Sequence, residues 1–121
     1  MTETLHILSV GPAELDNMVR DVLSEWYSRR LSFARSRGDL YAIPISTLID
    51  IAIIHETICE HELQDVARYI RHRWPRARIL VIRDEADSLE SVLYDDLVPP
   101  GLVPEALFAT VAWLNDRALE P

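Results

Sequence analysis

The sequence predicts an α/β protein in which one parallel sheet of five strands carries helices on both faces. Three observations point there. Short apolar runs alternate five times with segments of helical periodicity or breaker-bounded loops, and right-handed crossovers between such strands place the connecting helices on the two sheet faces. The run Ile49-Asp50-Ile51-Ala52-Ile53-Ile54 is β-branched, too short for a buried helix, and stops at His55 and Glu56, as a strand buried on both faces does. At 121 residues and 49% apolar, the chain is long enough for one core and too short for two comfortable ones, so a single domain over residues 1–121 is expected.

Leu5-His6-Ile7-Leu8-Ser9-Val10 alternates into an apolar run and ends at Gly11-Pro12, a strand followed by a breaker pair. Pro12 suits the start of a helix, where its missing N–H costs nothing. Leu15, Met18, Val19, Val22, Leu23 and Trp26 then recur at helical spacing, with Glu14, Asp16, Arg20, Asp21 and Glu25 opposite. Leu31 and Phe33 alternate with Arg30, Ser32 and Ala34, the pattern of an outer strand with one wet face. Arg35 to Asp39 reads as a turn, with Asp39 capping a short helix over Leu40 to Ile43 that Pro44 limits.

Beyond the central strand, Thr57 with Glu60 three residues on forms a capping-box pattern. Leu63, Val66, Ala67, Ile70 and Trp74 continue at helical spacing until Pro75. Arg78 to Ile82 is another β-branched run and a fourth strand. An acidic loop follows over Asp84 to Asp87, then a brief helix at Leu89, Val92 and Leu93, and a minimal fifth strand at Leu97-Val98. Pro104 opens a last helix with Leu107, Phe108, Val111 and Leu114 as its buried stripe.

Charge and composition narrow the functions available. A formal charge of −8 argues against general nucleic-acid binding, whose affinity comes mainly from phosphate neutralisation. All twelve basic residues are arginine, which excludes any mechanism needing a lysine amine. No apolar run reaches the roughly 18 residues of a membrane span, and Met1 to Val10 lack the features of a signal peptide. The lone Cys59 cannot form an internal disulfide. A soluble, cytoplasmic protein without a membrane partner is the expectation.

In open α/β sheets, ligands gather beyond the carboxyl ends of the strands, and His55 stands at that position. Asp50-Ile51-Ala52-Ile53-Ile54-His55 looks like the third strand of the response-regulator receiver family, and Asp95-Asp96-Leu97-Val98-Pro99-Pro100 looks like its fifth strand with the Lys-Pro that follows. The chain resembles that family from Leu5 to Leu114 in length, order and spacing of elements. The resemblance implies a flavodoxin-like sheet of order 2-1-3-4-5. It also implies a pocket that this chain does not fill. Where a receiver holds Mg²⁺ with acidic residues after strand one stand Gly11 and Pro12; the acceptor aspartate is His55; the small hydroxyl residue after strand four is matched by Arg83; the lysine after strand five is Pro99. Metal and lysine offset charge on the transferred phosphoryl group, so the resemblance implies a degenerate pseudo-receiver: no cofactor, no enzymatic activity, and signalling by contact with a protein partner or a second copy.

Competing readings attach to several residues. His55 can act as a phosphoryl acceptor, since imidazole is a competent nucleophile, or as a hydrogen-bonded structural residue. His55, Cys59 and His61 invite a metal- or ligand-responsive alternative, although a zincin-like run needs its ligands one turn apart on one helix and no second cysteine completes a tetrahedral site. Asp84 and Glu85 are placed at the same edge as His55, either as cation ligands or as a solvated loop. Arg68, Arg71, Arg73, Arg76 and Arg78 gather near the end of the third predicted helix, either as a nucleic-acid patch, which the acidic remainder and the sparse aromatic interleaving of Tyr69 and Trp74 disfavour, or as a group explained by the helix dipole and solubility; Arg29, Arg30, Arg35 and Arg37 are read the same way. In receivers the Lys-Pro bond is commonly cis, so a cis Pro99-Pro100 peptide is expected. Tyr94, Leu97 and Trp113 are candidates for an exposed apolar association face of the kind receivers pair through, or for core.

Overall fold

The computed structural model describes residues 5–12, 29–44, 46–55, 58–83, 93–99 and 109. Five strands, β1 (Leu5–Val10), β2 (Arg29–Ala34), β3 (Ile51–Ile54), β4 (Arg78–Ile82) and β5 (Asp96–Val98), form one sheet of order β2-β1-β3-β4-β5. Every pairing is parallel. Two helices are described, α1 (Arg37–Tyr41) between β2 and β3 and α2 (Glu60–Arg73) between β3 and β4. The five-stranded parallel sheet and its order are those the sequence implied.

β3 is the centre of the core because its neighbours close both of its hydrogen-bonding edges, β1 on one side and β4 on the other. Ile51, Ala52, Ile53 and Ile54 have no exposed surface. Burial of each isoleucine side chain is worth roughly 1.5–3 kcal/mol, which accounts for the β-branched, unbroken pattern. On one face of the sheet Leu8, Val10, Ala52, Ile54, Ile79 and Val81 pack with the α2 stripe Leu63, Val66, Ala67, Ile70 and with Trp74. On the other face Ile7, Ile51, Ile53, Leu80 and Ile82 are buried as well.

Two aspartates pin the strands at their amino ends. The Asp50 N–H donates to the His6 carbonyl at 2.9 Å, and the Asp50 carboxylate accepts the His6 N–H at 2.9 Å. Asp95 repeats the device on β4, donating its N–H to the Ile79 carbonyl at 2.8 Å and accepting the Ile79 N–H at 2.7 Å. Arg71 and Arg78 reach the same carboxylate at 3.1 and 3.7 Å. A parallel strand slipped by one residue turns its side chains to the wrong face, and these reciprocal pairs fix the register.

Three local expectations are corrected. α2 begins at Glu60 behind Cys59, whose side chain makes no capping bond; it does not begin near Thr57, because the chain first turns through an Ile58 N–H to His55 carbonyl bond of 3.2 Å that buries Ile58. α1 is capped by Ser36, whose hydroxyl accepts the Asp39 N–H at 3.2 Å. Asp39 sits in the first turn and accepts the Arg35 N–H at 3.0 Å, a reciprocal arrangement close to a capping box. Ala34, placed on the wet face of the outer strand by sequence, has no exposed surface, since it packs into the cluster with Leu8, Val10 and Leu40. The segments carrying Leu15 to Trp26, Asp84 to Asp87 and Leu89 to Val92 fall outside the described residues, as do Leu107, Phe108, Val111 and Leu114 and the Pro99-Pro100 bond.

Candidate functional site

Parallel order brings the carboxyl ends of the strands to one edge, and the edge residues follow from the strand bounds. Gly11 follows β1, His55 follows β3, Arg83 follows β4 and Pro99 follows β5. This is the edge the sequence selected. Its chemistry is set by what those backbone and side-chain groups already do.

Gly11 is buried, has a φ of 156° and donates its N–H to the Ala34 carbonyl at 2.9 Å. Residues with a Cβ rarely adopt that backbone geometry. A glycine is therefore favoured where the loop leaves β1, and any side chain there, an acidic one included, meets a modest backbone penalty. The His55 N–H donates to the Val10 carbonyl at 2.9 Å, extending the β1–β3 ladder by one bond, and His55 is half-buried. The Arg83 guanidinium donates to the Ile58 carbonyl, which straps the end of β4 to the turn before α2. A cation at this edge is thus held against a backbone carbonyl. Pro12 and Pro99 are half-buried and offer no N–H. Asp84 and Glu85 lie outside the described residues.

The metal alternative needs His55, Cys59 and His61 together. The structure does not assemble them: His55 stays at the strand end, Cys59 is exposed at the head of α2 and His61 is exposed on its first turn. Among the described residues no group of three or more His, Cys, Asp or Glu side chains is placed to hold a metal ion. Tyr94 and Leu97 of the candidate association face are half-buried and pack against the core, while Trp113 lies outside the described residues.

The arginines near the end of α2 are mostly committed to the fold. Arg71 donates to the Ala77 carbonyl at 2.9 Å and to Asp95 at 3.1 Å. Arg73 donates to the Tyr69 hydroxyl at 2.7 Å and the Ile43 carbonyl at 2.9 Å, with its guanidinium 4.9 Å from the Trp74 ring centre. Sequence reasoning missed Asp50 and Asp95 as register-setting residues. The signal that points to them is positional, an aspartate immediately before or one residue before a short apolar run.

No protein-family profile and no curated protein matches the chain. Among solved structures, a response regulator from Thermotoga maritima matches 93% of this chain and 98% of its own length, with a TM-score of 0.76 and 15% sequence identity. The fold is receiver-like. At that identity the likeness is one of architecture: the five-stranded sheet and its order agree. In a receiver-like frame Gly11, His55, Arg83 and Pro99 stand at the strand ends around which that architecture gathers its ligands. No described helix is long and apolar enough to cross a membrane.

Proposed function

We propose that the chain is a signalling module of receiver type that works without aspartyl phosphorylation, as a non-enzymatic element that contacts a protein partner or a second copy. The observation that supports this most is Gly11. Its buried position and φ of 156° suit a glycine and disfavour the acidic side chain on which Mg²⁺ binding depends. Arg83, tied to the Ile58 carbonyl, and Pro99, without a side-chain amine, supply neither a hydroxyl nor a lysine to a phosphoryl group. Fold likeness alone does not set function; the reading rests on these residues within the receiver-like frame. Tyr94 and Leu97, half-buried at the β5 end, belong to the face through which association is expected.

The test is intact-mass measurement after incubation with acetyl phosphate and Mg²⁺. The wild-type mass is expected to stay unchanged. A phosphoryl adduct that appears on the wild type and is lost in His55→Gln replaces this reading with a phospho-accepting one. Light scattering across protein concentrations tests self-association, which Leu97→Glu is expected to weaken.

A further inference from the structure

At the edge of the sheet opposite Gly11 and His55, the segment entering β3 and the turn from α2 to β4 form a groove of about 300 Å³. Leu48, Ile49, Trp74 and Pro75 line it with carbon, and Arg73, Arg76 and Asp50 contribute its charges. That volume is at the lower end of the range filled by drug-sized ligands, which suits one bulky apolar group.

The groove is held open by bonds that exist before any ligand arrives. Trp74 is buried and its indole N–H donates to the Thr47 carbonyl at 2.7 Å, which ties the segment before β3 to the end of α2. Tyr69 stands edge-on to Trp74 at 6.3 Å and lies 4.7 Å from Tyr41, centre to centre. Arg73 fastens this aromatic row through its bonds to Tyr69 and Ile43. A preformed wall loses little side-chain freedom on binding. Leu48 is 77% exposed and Tyr41 53%, the large hydrophobics most open to water among the described residues. Of these two Leu48 lines the groove, and an exposed leucine beside Trp74, Arg73 and Arg76 has the composition of an interface centre.

The charges indicate what the occupant carries. The Asp50 carboxylate accepts the His6 N–H, and the Arg73 guanidinium is committed as described. Arg76 is exposed. The partners of Asp50 and Arg73 are neutral and leave the charges in place, so the groove carries the guanidiniums of Arg73 and Arg76 against the one carboxylate of Asp50, a local positive excess on a chain whose formal charge is −8.

We infer that this groove docks an acidic peptide segment of a protein partner, with a bulky apolar side chain against Leu48 and Trp74 and an adjacent carboxylate on Arg76. This deepens the protein-binding reading and rests on it for the occupant being a protein. It places the contact at the amino edge of the sheet, away from the residues that stand where a receiver would be phosphorylated.

The test is selection of a random displayed peptide library on the immobilised full chain, with affinities of enriched peptides then measured on variants. Enriched peptides are expected to share a large apolar residue beside Asp or Glu. Their affinity should fall about tenfold or more in Leu48→Glu and in Arg76→Glu, fall with added salt, and stay unchanged in Arg68→Glu, which does not line the groove. Both substitutions that matter are at exposed positions, and circular dichroism verifies that the variants fold. No enrichment, enrichment of basic peptides, or binding indifferent to either substitution overturns the groove assignment. The phosphodonor result does not depend on the groove. An unreactive wild type without selected peptides refutes the groove alone, and a reactive wild type refutes the receiver reading whatever peptides are found.

Discussion

Asp95→Ala removes one carboxylate that serves three donors, and the structure sets the size of the loss. The Ile79 N–H, bonded at 2.7 Å, loses a charged acceptor in a half-buried setting, a loss of about 1.5–3 kcal/mol. The Arg71 pair, with side chains 27% and 22% exposed, adds about 0.5–1 kcal/mol, and the longer Arg78 pair adds a few tenths at most. Together they give a destabilisation of about 3 kcal/mol. Asp95→Asn keeps an oxygen for the Ile79 N–H and loses only charge assistance and the ion pairs, so it should cost about 1–1.5 kcal/mol. Urea unfolding followed by circular dichroism measures both. Repeating the pair in 1 M salt should leave the difference between the two variants largely intact, because a backbone hydrogen bond is screened far less than exposed ion pairs. The reasoning fails if Asp95→Ala lies within about 0.5 kcal/mol of the wild type, or if the asparagine variant is as unstable as the alanine one.

Two glycine substitutions should move stability in opposite directions. Gly11→Ala meets a φ of 156° and should destabilise by about 1–2 kcal/mol, whereas Gly38→Ala, in α1 with only the Ser36 hydroxyl 3.6 Å from the new Cβ, should stabilise by about 0.5–1 kcal/mol; equal signs in urea titrations would refute the backbone argument. Ser36→Ala removes the α1 cap bond to the Asp39 N–H and should lower unfolding free energy by about 1 kcal/mol, with Ser36→Thr close to the wild type; an unchanged midpoint for the alanine variant contradicts it. Zinc added to protein purified without chelator should leave the melting temperature unchanged, since His55, Cys59 and His61 are not grouped for a metal; a concentration-dependent rise would reveal binding to the native state.

The strands and α2 were legible because their signals are periodic and dense. Ile51 to Ile54 and Ile79 to Ile82 are buried through and through, and Leu63, Val66, Ala67 and Ile70 mark one face of α2 at helical spacing. The start of α2 was not, because the Thr57-Glu60 pattern is a local preference and the burial of Ile58, which decided the outcome, is a tertiary event. The cap of α1 was misplaced by three residues for a related reason: Ser36 and Asp39 are both good caps, and only the folded turn shows which one receives the bond. His55 was placed correctly at the strand end, yet its grouping with Cys59 and His61 depended on the path of the intervening turn. The groove was hidden because Leu48 reads as the lead-in to a strand and Trp74 as the last core residue of a helix. Their meeting is made by the Trp74 N–H bond to Thr47, across 27 residues of chain.

The aspartate pins have a consequence for what such a chain can tolerate over generations of mutation. Asp50 and Asp95 set alignment where the strands begin, so the order of the sheet does not depend on the side chains standing where the strands end. Gly11, His55, Arg83 and Pro99 stand at the far end, where the bond that extends the β1–β3 ladder comes from the His55 backbone N–H and not from its side chain. A lineage carrying these pins can exchange side-chain chemistry at the carboxyl rim while the alignment of its strands persists.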